Sequence, residues 1–369
     1  MPDTLGQRAL NRALLARQLL LRRTKLTPLE AVRHLCGLQA QAPFPPYYGL
    51  WSRLHGFRPE QLGQLLLDRQ VVRIALMRGT VHLVAADDCL WLRPLLQPLF
   101  DRDMRTNAAY KKSLAPVDLC AVAEQARALL AEEPRTPAAL GEQLARVWPD
   151  TPASALAHAA RGLLPLVQVP PRAVWGRSGR TTLATAEDWL GRPLERNASL
   201  DDLVLRYLAA FGPASVADVQ AWSGLTRLGE VVDRLRPRLR VFRTEQGREV
   251  FDLPEAPRPD PATPAPPRFI AEFDNLLLSH ADRTRVLPDD ARKRVFGVPN
   301  GVFPGTVLVD GLVRGSWRIV RSRAGATLEV EPYGRVSKKD RDALESAGAR
   351  LVRFAVGEDA CDIRFAAVA

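Results

Sequence analysis

Two glutamines, Gln39 and Gln41, stand one residue apart in the run Leu35-Cys36-Gly37-Leu38-Gln39-Ala40-Gln41-Ala42-Pro43-Phe44-Pro45-Pro46-Tyr47-Tyr48. A carboxamide offers an acceptor oxygen and a donor nitrogen and does not titrate, so a pair of them can orient water or a polar ligand at any ordinary pH. On a helix, side chains at i and i+2 point about 200° apart, whereas on an extended chain they share one side. Pro43 drives Ala42 out of the helical region, and Pro45 and Pro46 hold the next residues open. The spacing therefore predicts an extended segment with both amides facing one ligand. The competing reading is that the pair caps free helix carbonyls or sits in solvent.

The segment 71–85 is the second candidate. With Arg78-Gly79 as its turn, Leu76 pairs with Val81 and Ile74 with Leu83 on a core face, while Met77 pairs with Thr80 and Ala75 with His82 on a free face. Arg73, Thr80 and His82, with Arg78 at the tip, would then suit phosphate contact or entry into a groove, against the alternative of an ordinary exposed hairpin. A third stretch, Glu272 to Arg285, mixes carboxylates with arginines. Asp282 with Arg283 and Asp274 with Arg285 are expected as internal ion pairs, and Asp274, Asn275, Asp282 and Arg283 are held as supporting residues for a site. His34, His55 and His158 have no ligand spacing, and Cys36, Cys89, Cys120 and Cys361 are scattered, so buried thiols are expected rather than zinc or disulfides. No Gly-rich phosphate loop occurs, and neither a metal nor a nucleotide cofactor is expected.

The elements that must carry these residues are read from apolar periodicity. Helices are predicted at about 5–22, 28–38 and 59–68, with strands after them at 71–77 and 80–85. The same order recurs with helices near 116–130, 136–148 and 152–164 before strands near 166–169 and 181–184. It recurs again with helices near 200–211, 215–223 and 227–236 before strands near 239–243 and 248–252. Three helices and a ribbon make the order of a winged helix. A helix over 86–106 bridges the first two copies, and the Pro-rich run 254–268 reads as a stiff extended linker. Beyond it lie short β runs at 268–272, 306–310, 312–320 and 326–331 and a helix near 337–350. The expected fold is α+β: three tandem winged helices over 1–115, 116–197 and 198–256, then a β-barrel-like domain within 257–369.

The chain of 369 residues carries a net charge of +11. With 46 Arg against 6 Lys, a general arginine bias could account for that excess, but its distribution is uneven. Residues 1–115 hold 17 basic and 8 acidic residues, 116–197 hold 9 of each, and 198–256 hold 8 and 9. A polyanionic partner is expected at the N-terminal third. No apolar run approaches a membrane span, and Met-Pro-Asp-Thr-Leu-Gly lacks the character of a secretion signal, so a cytoplasmic, nucleoid-associated protein with no membrane partner is expected.

Gly37-Leu38-Gln39-Ala40-Gln41, Met77-Arg78-Gly79-Thr80-Val81-His82, Phe211-Gly212-Pro213-Ala214, Trp222-Ser223-Gly224-Leu225 and Phe273-Asp274-Asn275-Leu276-Leu277 together resemble the AlkZ-like winged-helix DNA glycosylases, over nearly the whole chain. The resemblance implies a C-shaped stack of winged helices and a β-barrel around a basic DNA channel. It also implies excision of alkylated purines, including those that crosslink two strands. The family's catalytic signature, Gln, an apolar residue, then Gln or Asp, falls on Gln39-Ala40-Gln41. The Gln-ending branch resembles resistance glycosylases associated with DNA-alkylating natural products. Thr80 and His82 fall on the hairpin that family members press into the minor groove.

On that resemblance the chain is a monofunctional hydrolase of duplex DNA bearing N7-alkylated purines, acting as a monomer. The lesion base is already cationic and departs readily, so placing water and stabilising a sugar cation is what remains. Gln41 is assigned to the water and Gln39 to supporting it or the cation, the two roles being exchangeable. Arg8, Arg12, Arg22, Arg23, Lys25, Arg73, Arg78, Lys111 and Lys112 are candidate phosphate contacts, with a steep salt dependence expected. A non-catalytic winged-helix regulator, which would prefer one undamaged sequence, and a structural module with weak DNA affinity are the alternatives.

Overall fold

The computed structural model describes residues 3–297, 303–322, 325–357 and 361–366, and three helices followed by two strands recur in it three times. The first set is Gln7–Arg17, Pro28–His34 and Pro59–Leu67 with strands Val71–Ala75 and Val81–Ala85. Leu119–Glu132, Pro137–Ala145 and Ala153–Leu163 lead to Leu166–Gln168 and Leu183–Thr185. Leu200–Phe211, Val216–Ser223 and Gly229–Leu235 lead to Arg240–Thr244 and Glu249–Asp252. Helix starts sit where a side-chain oxygen meets the free amides: Thr27 accepts from the Glu30 amide, Thr136 from Ala139 and Ser215 from Asp218. The bridge predicted as one helix is two, Ala86–Leu95 and Gln97–Thr106, with Pro94 inside the first and Pro98 opening the second.

An extra helix, Pro45–Arg53, corrects the expectation that Pro45 and Pro46 keep the chain open. They occupy its first turn, where the missing amides have no partner to lose and the fixed φ already suits a helix.

The ribbons of the first two sets merge. Their antiparallel strands form one five-stranded sheet in the order Leu38–Gln39, Val81–Ala85, Val71–Ala75, Leu166–Gln168, Leu183–Thr185. The third ribbon stays separate and takes Thr4–Leu5 as a parallel edge. In the C-terminal region the strands Arg268–Ile270, Gly305–Val309, Leu312–Ser322, Gly325–Pro332 and Cys361–Phe365 lie side by side in an open sheet, so the barrel-like expectation is corrected. Five strands do not close here; helix Lys338–Val356 covers a face instead, with Leu344, Leu351 and Val352 in one core with Leu328 and Val330.

The Pro-rich run 254–268 has no helix or strand before Arg268, as expected, but it is fastened rather than free. Arg8 donates to the Pro261 carbonyl and Arg12 to that of Thr263, each at 2.7 Å, and Ala265 is buried. Both arginines also pair with Asp310, and Arg12 is wholly buried. Burial corrects the assignment of Arg12 as a phosphate contact, and both cations, Arg8 from the surface, hold two parts of the protein together.

Candidate active site

Gly37 precedes the glutamines at φ +89°, and a Cβ there would meet Val84 Cγ1 at 2.6 Å, so only glycine lets the segment press against the hairpin strand. Leu38 and Gln39 then pair with Leu83 and His82, and the Ala40 amide donates to the Val81 carbonyl at 2.7 Å. The predicted extended geometry holds for Leu38 and Gln39, and the chain bends at Gln41. Gln39 is buried and its Oε1 accepts from Arg78 Nη2 at 2.6 Å. Gln41 is exposed and its Oε1 accepts from the Val81 amide at 3.3 Å. Both carboxamides are therefore held by the tip of the same hairpin.

That hairpin differs from expectation in register. Its tip is the three-residue turn Met77–Gly79, with Arg78 at φ +56° and Gly79 at φ +70°, closed by the Leu76 amide on the Thr80 carbonyl at 3.0 Å. Ala75 pairs with Val81, Ile74 with His82 and Arg73 with Leu83. One added residue in the turn slides the strands and carries His82 to the face of Ile74. Both faces of the ribbon are buried, not one: Arg73 is 1% and His82 0% exposed. Neither is placed to touch phosphate, which corrects both assignments. Burial, with Arg78 nearby, pushes His82 down to about 3, so it is neutral at working pH. Burial, then Arg172, lowers Arg73 to about 10; it stays cationic and donates to the Ala40 carbonyl at 2.7 Å. Thr80 is half-buried and donates to the Met77 carbonyl at 3.0 Å.

Arg78 points inward and ties four segments together. Besides Gln39 it donates to the Trp222 carbonyl at 2.7 Å and to Asn275 Oδ1 at 3.2 Å, while Asn275 Nδ2 donates to the Gly37 carbonyl at 3.4 Å. Gly224, at φ +82°, makes room: a Cβ there would lie 3.2 Å from Arg78 Cα. Burial, with Arg283 adding to it, lowers Arg78 to about 10, so it too remains a cation. Asn275 is placed by the turn Asn275–Leu277, which Asp274 caps through the Leu276 amide at 2.9 Å. The Asp274 carboxylate is gripped by Arg53 at 2.8 and 2.9 Å, both side chains buried.

The predicted pairings within 272–285 are thus replaced. Asp274 has Arg53, and Asp282 has Arg248 at 3.4 Å. Arg285 donates to the Pro213 carbonyl at 2.8 Å and lies 3.9 Å from Asp218, and Arg283 lies over the Phe296 ring at 4.5 Å. Partners nearer in sequence lost to partners brought in by other elements.

Of the remaining basic candidates, Arg22, Lys25, Lys111 and Lys112 are exposed. Arg23 lies over the Trp51 ring at 4.4 Å, at the far end of helix Pro45–Arg53 from the glutamines, and burial lowers it to about 10. Two arginines that sequence reasoning missed sit at the hairpin tip: Arg161 donates to the Gly79 carbonyl at 3.2 Å and Arg102 to that of Gly224 at 2.8 Å. The charge balance of 116–197 is zero, so nothing in composition pointed to Arg161. Among the described residues no group of three or more His, Cys, Asp and Glu side chains could hold a metal ion, and no helix is long and apolar enough to cross a membrane.

The family model of the DNA glycosylase AlkZ-like proteins matches residues 32–354. The interstrand DNA cross-link repair glycosylase of Streptomyces sahachiroi is 24% identical over 367 residues, 91% of this chain and 93% of that protein. The solved structure of the Streptomyces sahachiroi DNA glycosylase AlkZ gives a TM-score of 0.79 at 22% identity, covering 98% of this chain and 100% of that one. Because the matched span takes in most of the chain and every residue gathered around Arg78, this protein belongs to the AlkZ-like DNA glycosylases, enzymes that hydrolyse N-glycosyl bonds.

Proposed function

We propose that the enzyme excises N7-alkylated purines from duplex DNA, interstrand crosslinks among them, and leaves an abasic site, in repair or in self-resistance to a genotoxic natural product. The observation that carries this is the placement of Gln39 and Gln41 on one hairpin tip. An N7-alkylpurine is a cation that leaves without protonation, and the sugar takes on oxocarbenium character. What the protein must supply is a positioned water and a surface that does not repel positive charge.

The two amides are not equivalent. Gln39 Oε1 already faces a guanidinium at 2.6 Å, so it is poorly suited to face a second, developing cation. Gln41 is exposed, and its oxygen accepts one longer bond at 3.3 Å, leaving a lone pair for water. We therefore assign water placement to Gln41 and support to Gln39, with Arg78 as a positioning residue. Exposed Arg22, Lys25, Arg102, Lys111, Lys112 and Arg161 supply phosphate contacts, and Thr80 the approach to the minor groove.

The test incubates the chain with duplex carrying one N7-methylguanine and counts alkali-labile sites. Gln41→Ala is expected to lose about 10²–10⁴-fold in single-turnover rate and Gln39→Ala about tenfold. Wild-type rates in both variants would remove the catalytic assignment.

A further inference from the structure

A cleft of about 760 Å³ opens beside the glutamine segment, and neither the water-placing amides nor the phosphate contacts make use of it. Ala42, Pro43 and Phe44 form one lip, starting at the residue after Gln41. Its walls are aromatic: Phe44, Tyr48, Trp175, Trp317 and Phe354. Tyr48 stands edge-on to Trp175, Trp317 and Phe354 at centroid separations of 5.9, 5.6 and 5.9 Å, and Phe44 meets Trp175 edge-on at 5.4 Å. These rings come from the first repeat, the second repeat and the C-terminal sheet and helix, so the cleft exists only in the assembled chain.

Four charged residues line it, and their partners decide its sign. Arg318 is neutralised by Glu329 at 2.6 Å, whereas Arg321 donates to the Ala355 carbonyl at 2.8 Å, keeps its charge and lies at Tyr48, so the two carboxylates Glu60 and Glu272 outnumber one uncompensated cation. Glu60 is exposed at the rim. Glu272 is half-buried and, among the described residues, has neither a hydrogen bond nor an ion pair; burial alone raises its pKa. A carboxylate that has lost water without gaining a cation favours a ligand that brings one. Aromatic faces carry the negative end of the ring quadrupole and attract the same kind of ligand.

We propose that this cleft binds a planar cationic heterocycle, the charged base of the lesion, and so selects cationic lesions over neutral purines. The identification of that heterocycle with the lesion base rests on the proposed excision of N7-alkylated purines. A neutral purine would stack on the same rings but leave Glu272 unpaired. Hydrolysis also removes the attraction. The electron pair of the C–N bond returns to the base, water's oxygen bonds the sugar carbon, and a proton is released. The N7-alkylguanine that leaves is neutral and is held less tightly than the base that entered.

The experiment titrates the full chain at pH 7.5 with 1-methyladenosine, a cationic purine nucleoside, and with neutral adenosine, reading Trp fluorescence. Wild type is expected to prefer the cation about tenfold, Glu272→Gln to lose that preference, and Phe44→Ala to weaken both ligands alike, each by roughly three- to tenfold. Equal affinity for the two nucleosides in wild type, or an undiminished preference in Glu272→Gln with an unchanged melting curve, would overturn the proposal. A parallel excision assay separates the two ideas. Preference for the cation without excision of N7-methylguanine leaves the cleft standing and removes the proposed function; excision without the preference removes only the cleft.

Discussion

The ribbon at 71–85 comes after four helices and the ribbon at 240–252 after three, and they end in opposite circumstances. The first is inside: every residue of Val71–Ala75 and Val81–Ala85 is buried, the glutamine strand lies on one edge and the second repeat on the other, and the tip bonds inward through Arg78. The third keeps Arg240, Arg243 and the turn Glu245-Gln246-Gly247 exposed, and its Glu249 pairs with a half-exposed Arg236 at 2.6 Å. A ribbon's place in the order of elements says where it is; its neighbours decide whether it is a surface wing or the wall of a site.

The largest expected effect comes from breaking the charge pair beneath the first hairpin. Arg53→Met strands a buried Asp274 and should cost about 3–5 kcal/mol in denaturant unfolding, whereas Arg236→Gln at the third ribbon should cost no more than about 1 kcal/mol. Similar losses would erase the contrast. Arg78→Met should lower kcat for excision about a hundredfold by releasing Gln39, with DNA affinity changed by less than about threefold. Gln246→Ala at the other tip should leave kcat alone, and a fall in affinity rather than in kcat for Arg78→Met would return that residue to phosphate contact.

Acid acts on the two regions alike, and substitution apportions the effect. His82 in the first ribbon and His280, packed against the Phe211 carbonyl of the third repeat, are both buried and both pushed down to about 3. The unfolded chain takes up protons near pH 6.5 that the folded protein refuses. Stability is therefore full above that value and falls as pH drops towards 3, by up to about 1.4 kcal/mol per unit for each histidine. At about pH 5–6, above the range in which the lowered carboxylates titrate, the pH slope of the unfolding free energy should shrink by about half in His82→Asn, with His280 carrying the rest. The smallest effect is on rate: with His82 neutral throughout, excision of N7-methylguanine should vary less than about threefold between pH 6 and 8. A bell-shaped profile there would place a titrating group in the chemistry.

How far the residues foretold this varies with the range of the forces involved. Helix and strand positions in all three repeats were legible because period and capping are local, as Thr27, Thr136 and Ser215 show. The extended course was legible at Leu38 and Gln39, whereas the chain bends at Gln41 and Pro45 and Pro46 start a helix. The ribbon at 71–85 was misread as one-sided although Val71-Val72 and Leu83-Val84-Ala85 are apolar at successive positions, the pattern of a strand covered on both faces. Arg53 with Asp274, 221 residues away, and the inward turn of Arg78 carry no sequence signal, since each depends on an element brought in from elsewhere.

The fastening of the first helix to Asp310 bears on how the enzyme is made. Arg8 and its carboxylate are 302 residues apart, so at ~5–20 residues per second the ribosome needs roughly 15–60 s to deliver the second after the first. Until then two cations of that helix lack the carboxylate they share, and Arg78 has itself waited for Asn275, made 197 residues after it. Nascent fragments that stop short of Asp310 should be unable to cut a base from DNA, and competence should arrive only once that carboxylate has been made.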